Sequence, residues 1–125
     1  MEFLEAPGLH SLRSSYLSDN ECRELQHRLA SAPELGDVIS GTGGFRKLRW
    51  AAPRRGKGRR GGLRIIYYYF LDSQQIWLMT LYGKDEAADL TSKERQALRN
   101  AIELELQARR AHELVRQKKS QRERQ

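Results

Sequence analysis

The sequence has one cysteine, three histidines and three prolines, and no long uninterrupted run of apolar residues. Cys22 has no second cysteine to pair with, so an internal disulfide is excluded and a reducing compartment, the cytoplasm, is expected. His10, His27 and His112 are scattered without metal-ligand spacing, so we expect neither a metal nor another cofactor. No window approaches the ~18 apolar residues of a transmembrane helix, and the first residues lack the apolar core of a signal peptide. A membrane partner is therefore not expected.

Acidic residues are missing from one whole stretch, residues 45–70, which has the sequence FRKLRWAAPRRGKGRRGGLRIIYYYF. So much uncompensated positive charge does not stabilise a fold, but it suits a surface that binds phosphate. The net charge of +7 agrees, although it would also suit an acidic protein or anionic lipid. The cations of this stretch are Arg46, Lys47, Arg49, Arg54, Arg55, Lys57, Arg59, Arg60 and Arg64.

Periodicity and capping signals predict the order β, α, α, β, β, β, α. Ser18 with Glu21, and Thr91 with Glu94, have the spacing of capping boxes and predict the starts of two helices. The predicted strands cover residues 2–5, 45–51, 63–71 and 76–82, and the predicted helices cover 9–17, 19–31 and from about 92 past 114. The sequence thus indicates an α+β domain over residues 1–115, with a small, mainly antiparallel sheet. Residues 116–125 form a basic polar tail that frays or extends the last helix.

Glycines interrupt the basic residues between the second and third predicted strands. Gly56, Gly58, Gly61 and Gly62 would let a loop backbone approach a polyanion closely. In an antiparallel meander the end of one strand lies beside the start of the next, so Arg49, Arg64 and Lys84 could line one positive face. Such a set could simply bind RNA.

The same cations could also cleave RNA. Attack by a ribose 2′-hydroxyl on its own phosphate needs a base, a proton donor to the leaving oxygen and cations around the phosphate. Crowded lysines and arginines can supply all three, since neighbouring positive charge lowers a lysine pKa from its reference near ~10.4. The composition alone leaves binding and cleavage open.

Three motifs in fixed order, GTGGFRKLRWA, GKGRRGGLRIIYYY and LYGKDEAADLT, resemble the RelE/HigB-like family of toxins from bacterial type II toxin–antitoxin systems. The resemblance covers about residues 34–102. It implies a RelE-like fold, with two N-terminal helices on a small antiparallel sheet and a C-terminal helix. It also implies a ribosome-dependent endonuclease that cuts mRNA in the ribosomal A site without a metal, with ribosomal RNA, mRNA and a cognate antitoxin as partners.

The resemblance assigns the catalytic residues by motif, whereas the contacts to RNA and the ribosome are expected from the charge of the basic stretch. Some family members place a catalytic tyrosine a few residues past the last motif, where this chain has Ala87, Ala88, Asp89, Leu90 and Thr91. The base is then a lysine, an arginine or another group; Tyr82 is a poor substitute on spacing. The expected catalytic residues are Lys57, Arg59, Arg60, Arg64 and Lys84, and the expected contacts to RNA and the ribosome are Arg46, Lys47, Arg49, Arg54 and Arg55.

Two other functions remain open. ParE-like toxins share the scaffold but inhibit DNA gyrase by binding, and a third alternative is an RNA-binding module without catalysis. The dense basic loop followed by Arg64 favours RNA cleavage. Tyr67–Tyr69, Trp50 and Trp77 are interpreted as core residues rather than platforms for bases, and Gly41–Gly44 as a turn that leads into a strand rather than a phosphate-binding nest.

Overall fold

The structure is a computed structural model that describes residues 1–51, 62–87 and 89–124. It is an α+β fold with a five-stranded mixed sheet in the order β1-β5-β4-β3-β2. The strands are β1 (Glu2–Glu5), β2 (Asp37–Val38), β3 (Arg46–Trp50), β4 (Leu63–Phe70) and β5 (Gln75–Gly83), and the helices are α1 (Leu9–Ser14), α2 (Asp19–Ser31) and α3 (Ser92–Glu123).

Capping boxes start both long helices, as the sequence predicts. The Ser18 hydroxyl accepts from the Glu21 N–H at 3.1 Å, and the Glu21 carboxylate accepts from the Ser18 N–H at 2.9 Å. Thr91 and Glu94 make the same reciprocal pair at 3.1 and 2.8 Å. Each box satisfies two of the N–H groups that a helix start leaves without partners.

The sheet departs from the sequence-based expectation at its two edges. β3, β4 and β5 form the predicted antiparallel meander, but β1 pairs with β5 in parallel, with Phe3 opposite Ile76. The two-residue strand β2 pairs with β3 and was not predicted. A two-residue strand is too short to show a hydrophobic period, so the sequence does not reveal β2. The direction of β1 relative to β5 depends on the path of the chain through α1 and α2, so nearby residues do not predict it.

One face of the sheet is covered by α1 and α2. Leu9, Leu17, Leu25 and Leu29 pack against strand residues of this face, among them Ile65. Cys22 is buried in the same cluster, and its sulfur accepts a hydrogen bond from the Arg13 guanidinium at 3.1 Å. This apolar layer holds α1 and α2 against the sheet.

The opposite face is covered by α3 through Leu98 and Ile102, which pack with Phe45, Ile66 and Phe70. The Gly41–Gly44 turn fits beneath this helix. A Cβ on Gly43, whose φ is 79°, would lie 2.9 Å from the Ile102 methyl Cγ2. Close packing against α3 therefore accounts for this glycine, in agreement with a turn that leads into β3.

Tyr67 ties the segment after α2 to the centre of the sheet. Its buried hydroxyl donates to the Pro33 carbonyl at 2.8 Å and accepts from the Gly36 N–H at 2.9 Å. Burial raises its pKa above the ordinary tyrosine value, so it stays protonated at neutral pH. Tyr67 is thus a core residue, as the sequence predicts.

Candidate functional site

Three polar side chains lie side by side on the adjacent strands β3, β4 and β5, near one end of these strands. Arg49 on β3 lies opposite Arg64 on β4, and Arg64 lies opposite Tyr82 on β5. Directly opposed residues in an antiparallel pair have Cβ atoms about 5 Å apart, so the three side chains are neighbours on the face that α3 covers. We call Arg49, Arg64 and Tyr82 the polar row.

Arg64 is the central member of the row and is buried, with 6% of its surface exposed. One guanidinium nitrogen donates to the Leu63 carbonyl at 3.3 Å. Arginine is almost never buried without compensating partners, because desolvating its charge is costly. Because Arg64 belongs to the middle strand, the sheet fixes its backbone position. Arg49 beside it is exposed.

Tyr82 brings a hydroxyl group to the other side of Arg64. The ring is half-buried, and the hydroxyl oxygen is buried without a hydrogen-bond partner among the described residues. Burial raises the pKa of Tyr82, with Asp89 acting in the same direction and Arg64 opposing it. The group therefore remains protonated at neutral pH and can donate a hydrogen bond. Spacing in the sequence argued against Tyr82; the strand register brings it next to Arg64.

An acidic residue that the sequence analysis did not single out lies close to the row. The Asp89 carboxylate pairs with Lys47 of β3 at 3.4 Å and with Arg95 of α3 at 2.9 Å, and it accepts from the Leu90 N–H at 2.7 Å. The hydrogen bond from Leu90 lowers the Asp89 pKa most, and Lys47 and then Arg95 lower it further. Because this carboxylate is exposed, its main effect is on local charge rather than on stability.

Lys84 lies at the same end of the sheet as the polar row. Its backbone N–H donates to the Gly62 carbonyl at 3.2 Å, which places the turn after β5 beside the start of β4. The side chain is exposed, and no described carboxylate pairs with it. The nearby Glu86 instead accepts from the Gly83 N–H at 3.2 Å and from the Tyr16 hydroxyl at 2.6 Å. The structure thus brings Lys84 near Arg64, as expected.

Arg46 belongs to a different environment. Its guanidinium donates to the Gly36 carbonyl at 2.8 Å and to the Glu34 carbonyl at 3.2 Å, so it holds the segment after α2 against β3. Residues alternate sides along a strand, and Arg46 points away from the face that carries Arg49. The structure therefore does not bring this predicted RNA contact together with the polar row.

The remaining predicted cations lie outside the described residues. They are Arg54, Arg55, Lys57, Arg59 and Arg60, and their proposed contacts stay predictions. Gly62, the first residue after that segment, has a φ of 59° and lies so close to the Trp50 carbonyl that a Cβ would be 2.4 Å from its oxygen. Gly62 therefore occupies a point at the start of β4 where only glycine fits.

The described parts of the chain contain no cluster of three or more His, Cys, Asp or Glu side chains able to hold a metal ion. None of the helices described there combines the length and the apolar character needed to cross a bilayer. No protein-family model matches the chain. The site is thus characterised by its own geometry: a fixed arginine between an exposed arginine and a protonated phenol, with Lys47, Lys84 and Arg95 around them.

Proposed function

We propose that the protein is a ribosome-dependent mRNA endonuclease of the RelE/HigB-like kind, which inhibits translation by cutting mRNA in the ribosomal A site and is neutralised by a cognate antitoxin. The observation that carries the proposal is the polar row. Two arginines from adjacent strands lie next to a phenolic hydroxyl on one face of the sheet, and the sequence between those two strands is the part of the chain richest in arginine and lysine. This arrangement suits a phosphate whose negative charge increases during reaction.

In this proposal the cations stabilise the phosphorane formed when a 2′-hydroxyl attacks the adjacent phosphate. Arg64 presents a planar fork that can donate to two phosphate oxygens at once, and Arg49 supplies a second positive charge. The reaction breaks the bond to the 5′-oxygen of the next nucleotide and leaves a cyclic phosphate. A cation from residues 57–60 or Lys84 serves the proton transfers, in keeping with the motif assignment.

Tyr82 lies beside Arg64 in the row. Its hydroxyl makes no hydrogen bond among the described residues and is protonated at neutral pH, so it can donate to a phosphate oxygen that reaches Arg64. Arg49 and Lys84 are exposed and would contact the RNA backbone first.

The partners proposed for this function follow from the charge. A basic site that cuts translated mRNA has to enter the ribosome, where phosphates of ribosomal RNA surround it. An antitoxin would suppress it by covering this surface or by preventing entry. The soluble, cytoplasmic location expected from the sequence belongs to the same proposal.

The test is cleavage of mRNA by the purified protein on translating ribosomes, with mapping of the new 5′ ends. We expect cuts in phase with codons. Arg64→Ala should reduce their rate by about 10²–10³-fold, as expected when a key electrostatic donor is removed from a transition state. Arg64→Lys keeps the charge but loses the fork, and should also be strongly impaired.

The matched control is Arg28→Gln, which removes an exposed cation from α2 on the opposite side of the sheet. It should cleave like the unaltered protein. Circular dichroism and thermal unfolding establish that the Arg64 variants are folded before their activity is compared. Intact mRNA together with gyrase-dependent DNA breaks would overturn the proposal in favour of a gyrase inhibitor, and RNA binding with no cleavage would reduce it to a binding module.

A further inference from the structure

The helix α3 has two parts that differ in what they contact. Leu98, Ile102 and Leu106 pack on the sheet, and Arg109 is the last residue of α3 with a contact to the body of the protein among the residues that the structure describes. Its guanidinium lies 3.6 Å from the centre of the Phe70 ring and donates to the Ser73 hydroxyl at 3.3 Å. From residue 110 to residue 124 every position is exposed. We call residues 110–124 the helical arm; at 1.5 Å per residue it extends about 22 Å beyond the last contact.

The arm also differs from the packed part in charge. Residues 92–109 contain four basic and three acidic residues, whereas the arm contains six basic and two acidic residues. The arm cations are Arg110, Arg116, Lys118, Lys119, Arg122 and Arg124. In the part of the chain that is described, Arg116 is the arm cation that forms an ion pair, with Glu113 at 3.6 Å. The charge of the arm is therefore largely uncompensated.

The distribution of these cations around the helix axis indicates which kind of partner the arm can bind. At about 100° per residue, no sector of the arm wider than about 80° lacks a cation. A helix that lies on a membrane surface needs one apolar face, which this distribution does not provide. Cations on all sides instead suit a polyanion that approaches from several directions, as phosphates do in a groove or between the helices of a folded RNA.

The apolar residues of α3 do not favour pairing of the arm with a helix of a partner protein. Leu104 and Val115 are exposed and lie on the same side of α3, with Ala111 between them. The next positions on that side are Lys118 and Arg122, so the stripe ends after less than two heptads. A coiled coil needs about three to four. An arm built for a helical protein partner would continue the apolar stripe along its length.

We propose that the helical arm is a second RNA-binding surface, separate from the polar row, that binds the phosphate backbone of folded RNA. The choice of RNA over other polyanions rests on the proposed function, which supplies ribosomal RNA as the nearest partner. The arm would then anchor the protein on the ribosome while the polar row acts on the mRNA. This proposal predicts that the protein binds folded RNA when no ribosomes are present and when no RNA is cleaved.

The experiment measures binding of a fluorescein-labelled RNA stem-loop by fluorescence anisotropy, over a range of salt concentrations. All proteins carry Arg64→Ala so that the RNA stays intact. The arm variant combines Arg116→Gln, Lys118→Gln, Lys119→Gln and Arg122→Gln; glutamine has a helix propensity close to that of arginine and lysine, and circular dichroism verifies the helix. The matched control removes four exposed cations elsewhere, by Arg23→Gln, Arg28→Gln, Lys93→Gln and Arg99→Gln.

We expect the arm variant to lose at least about tenfold in affinity near 0.1 M salt, and the slope of log K against log salt to become shallower by about 2–4. The control should lose much less, although its net charge falls equally. Equal losses in the two variants would overturn the proposal, since net charge alone would then explain binding. It would also be overturned if a DNA duplex of the same length, polyglutamate or anionic lipid vesicles bound the arm as tightly as the RNA does.

The proposed nuclease activity is tested separately. The arm variant with Arg64 restored is compared with the unaltered protein on translating ribosomes. If the arm variant bound the stem-loop as tightly as the control variant while the unaltered protein cleaved mRNA, the arm proposal would fail and the nuclease proposal would stand. If binding depended on the arm but the unaltered protein cleaved no mRNA, the nuclease proposal would fail and the arm would remain an RNA-binding surface.

Discussion

The sheet face beneath α3 has two ends that are built from the same strands but carry different kinds of side chain. At one end Phe45, Tyr68, Phe70 and Trp77 form an aromatic cluster, with the Phe45 and Tyr68 rings 5.4 Å apart in an edge-on arrangement. At the other end the same register aligns the polar row. The separation along β4 is about 20 Å. The aromatic end contributes apolar packing to the core, whereas the polar end carries two charged groups and a hydroxyl group.

The largest effect is expected from Ile102→Ala, which opens a cavity at the aromatic end. Ile102 is 1% exposed and contacts both the sheet and the glycine turn. Its truncation should lower the free energy of unfolding by about 2–5 kcal/mol, measured by urea denaturation. Leu104→Ala on the same helix, where the side chain is 67% exposed, should change it by less than about 0.5 kcal/mol. Similar losses at both positions would show that α3 contributes through helix propensity rather than packing.

Two tyrosine-to-phenylalanine changes should separate a structural hydroxyl from one that belongs to the polar end. Tyr67→Phe leaves the Gly36 N–H and the Pro33 carbonyl without a partner, so the free energy of unfolding should fall by about 1–2 kcal/mol. Tyr82→Phe removes a buried hydroxyl that makes no hydrogen bond in the described structure, so stability should stay equal or rise slightly. Thermal unfolding of both variants is the measurement. A large loss for Tyr82→Phe would place that residue with the structural core.

Arg49→Gln should affect binding without affecting the fold. Arg49 is exposed at the edge of the polar row, so its removal should weaken binding of an RNA stem-loop about three- to tenfold and change the free energy of unfolding by less than about 0.5 kcal/mol. Arg23→Gln on α2 is the matched control and should bind nearly normally. Equal weakening in both variants would indicate that RNA responds to net charge and not to this end of the sheet.

The smallest effect is expected from Asp89→Asn. It releases Lys47 and Arg95 from their shared carboxylate, so RNA affinity at low salt should rise about two- to fivefold. The folded-state pKa of Asp89 is lowered, so its small contribution to stability is present above the ordinary aspartate pKa and is lost as the pH falls through the folded value. The stability difference from the unaltered protein should therefore disappear in acid. Asp72→Asn, in the exposed turn between β4 and β5, should leave RNA affinity unchanged.

Local signals in the sequence were sufficient for several elements. The capping boxes at Ser18 and Thr91 define two helix starts by side-chain chemistry that does not depend on the rest of the chain. The β-branched and aromatic run after Gly62 predicts β4 within one residue. The parallel pairing of β1 and the edge strand β2 could not be predicted, because strand direction and very short pairings depend on distant segments.

The candidate site likewise contains features that the sequence predicted and features that depended on the fold. Arg49, Arg64 and Lys84 were expected near one another, and the register brings them to one end of the sheet. Arg46 was expected to contact RNA; in the structure it donates to two backbone carbonyls on the other face of the sheet, and its RNA contact stays a prediction. Asp89 was not singled out and Tyr82 was set aside on spacing, because their positions beside Lys47 and Arg64 depend on which strands and helices face them. A signal existed only for Tyr82, which hairpin pairing of β4 and β5 would have placed opposite Arg64.

By itself the sequence determined where the positive charge is concentrated, where the helices start and which residues are apolar enough to form the core. These properties depend on residue type and on spacings of a few residues. Tertiary structure decided which cations share a face, which are engaged by backbone carbonyls or by Asp89, and which end of α3 lies beyond the body of the protein. Those relations join residues far apart in the chain, and only the strand register and the packing of helices on the sheet bring them together.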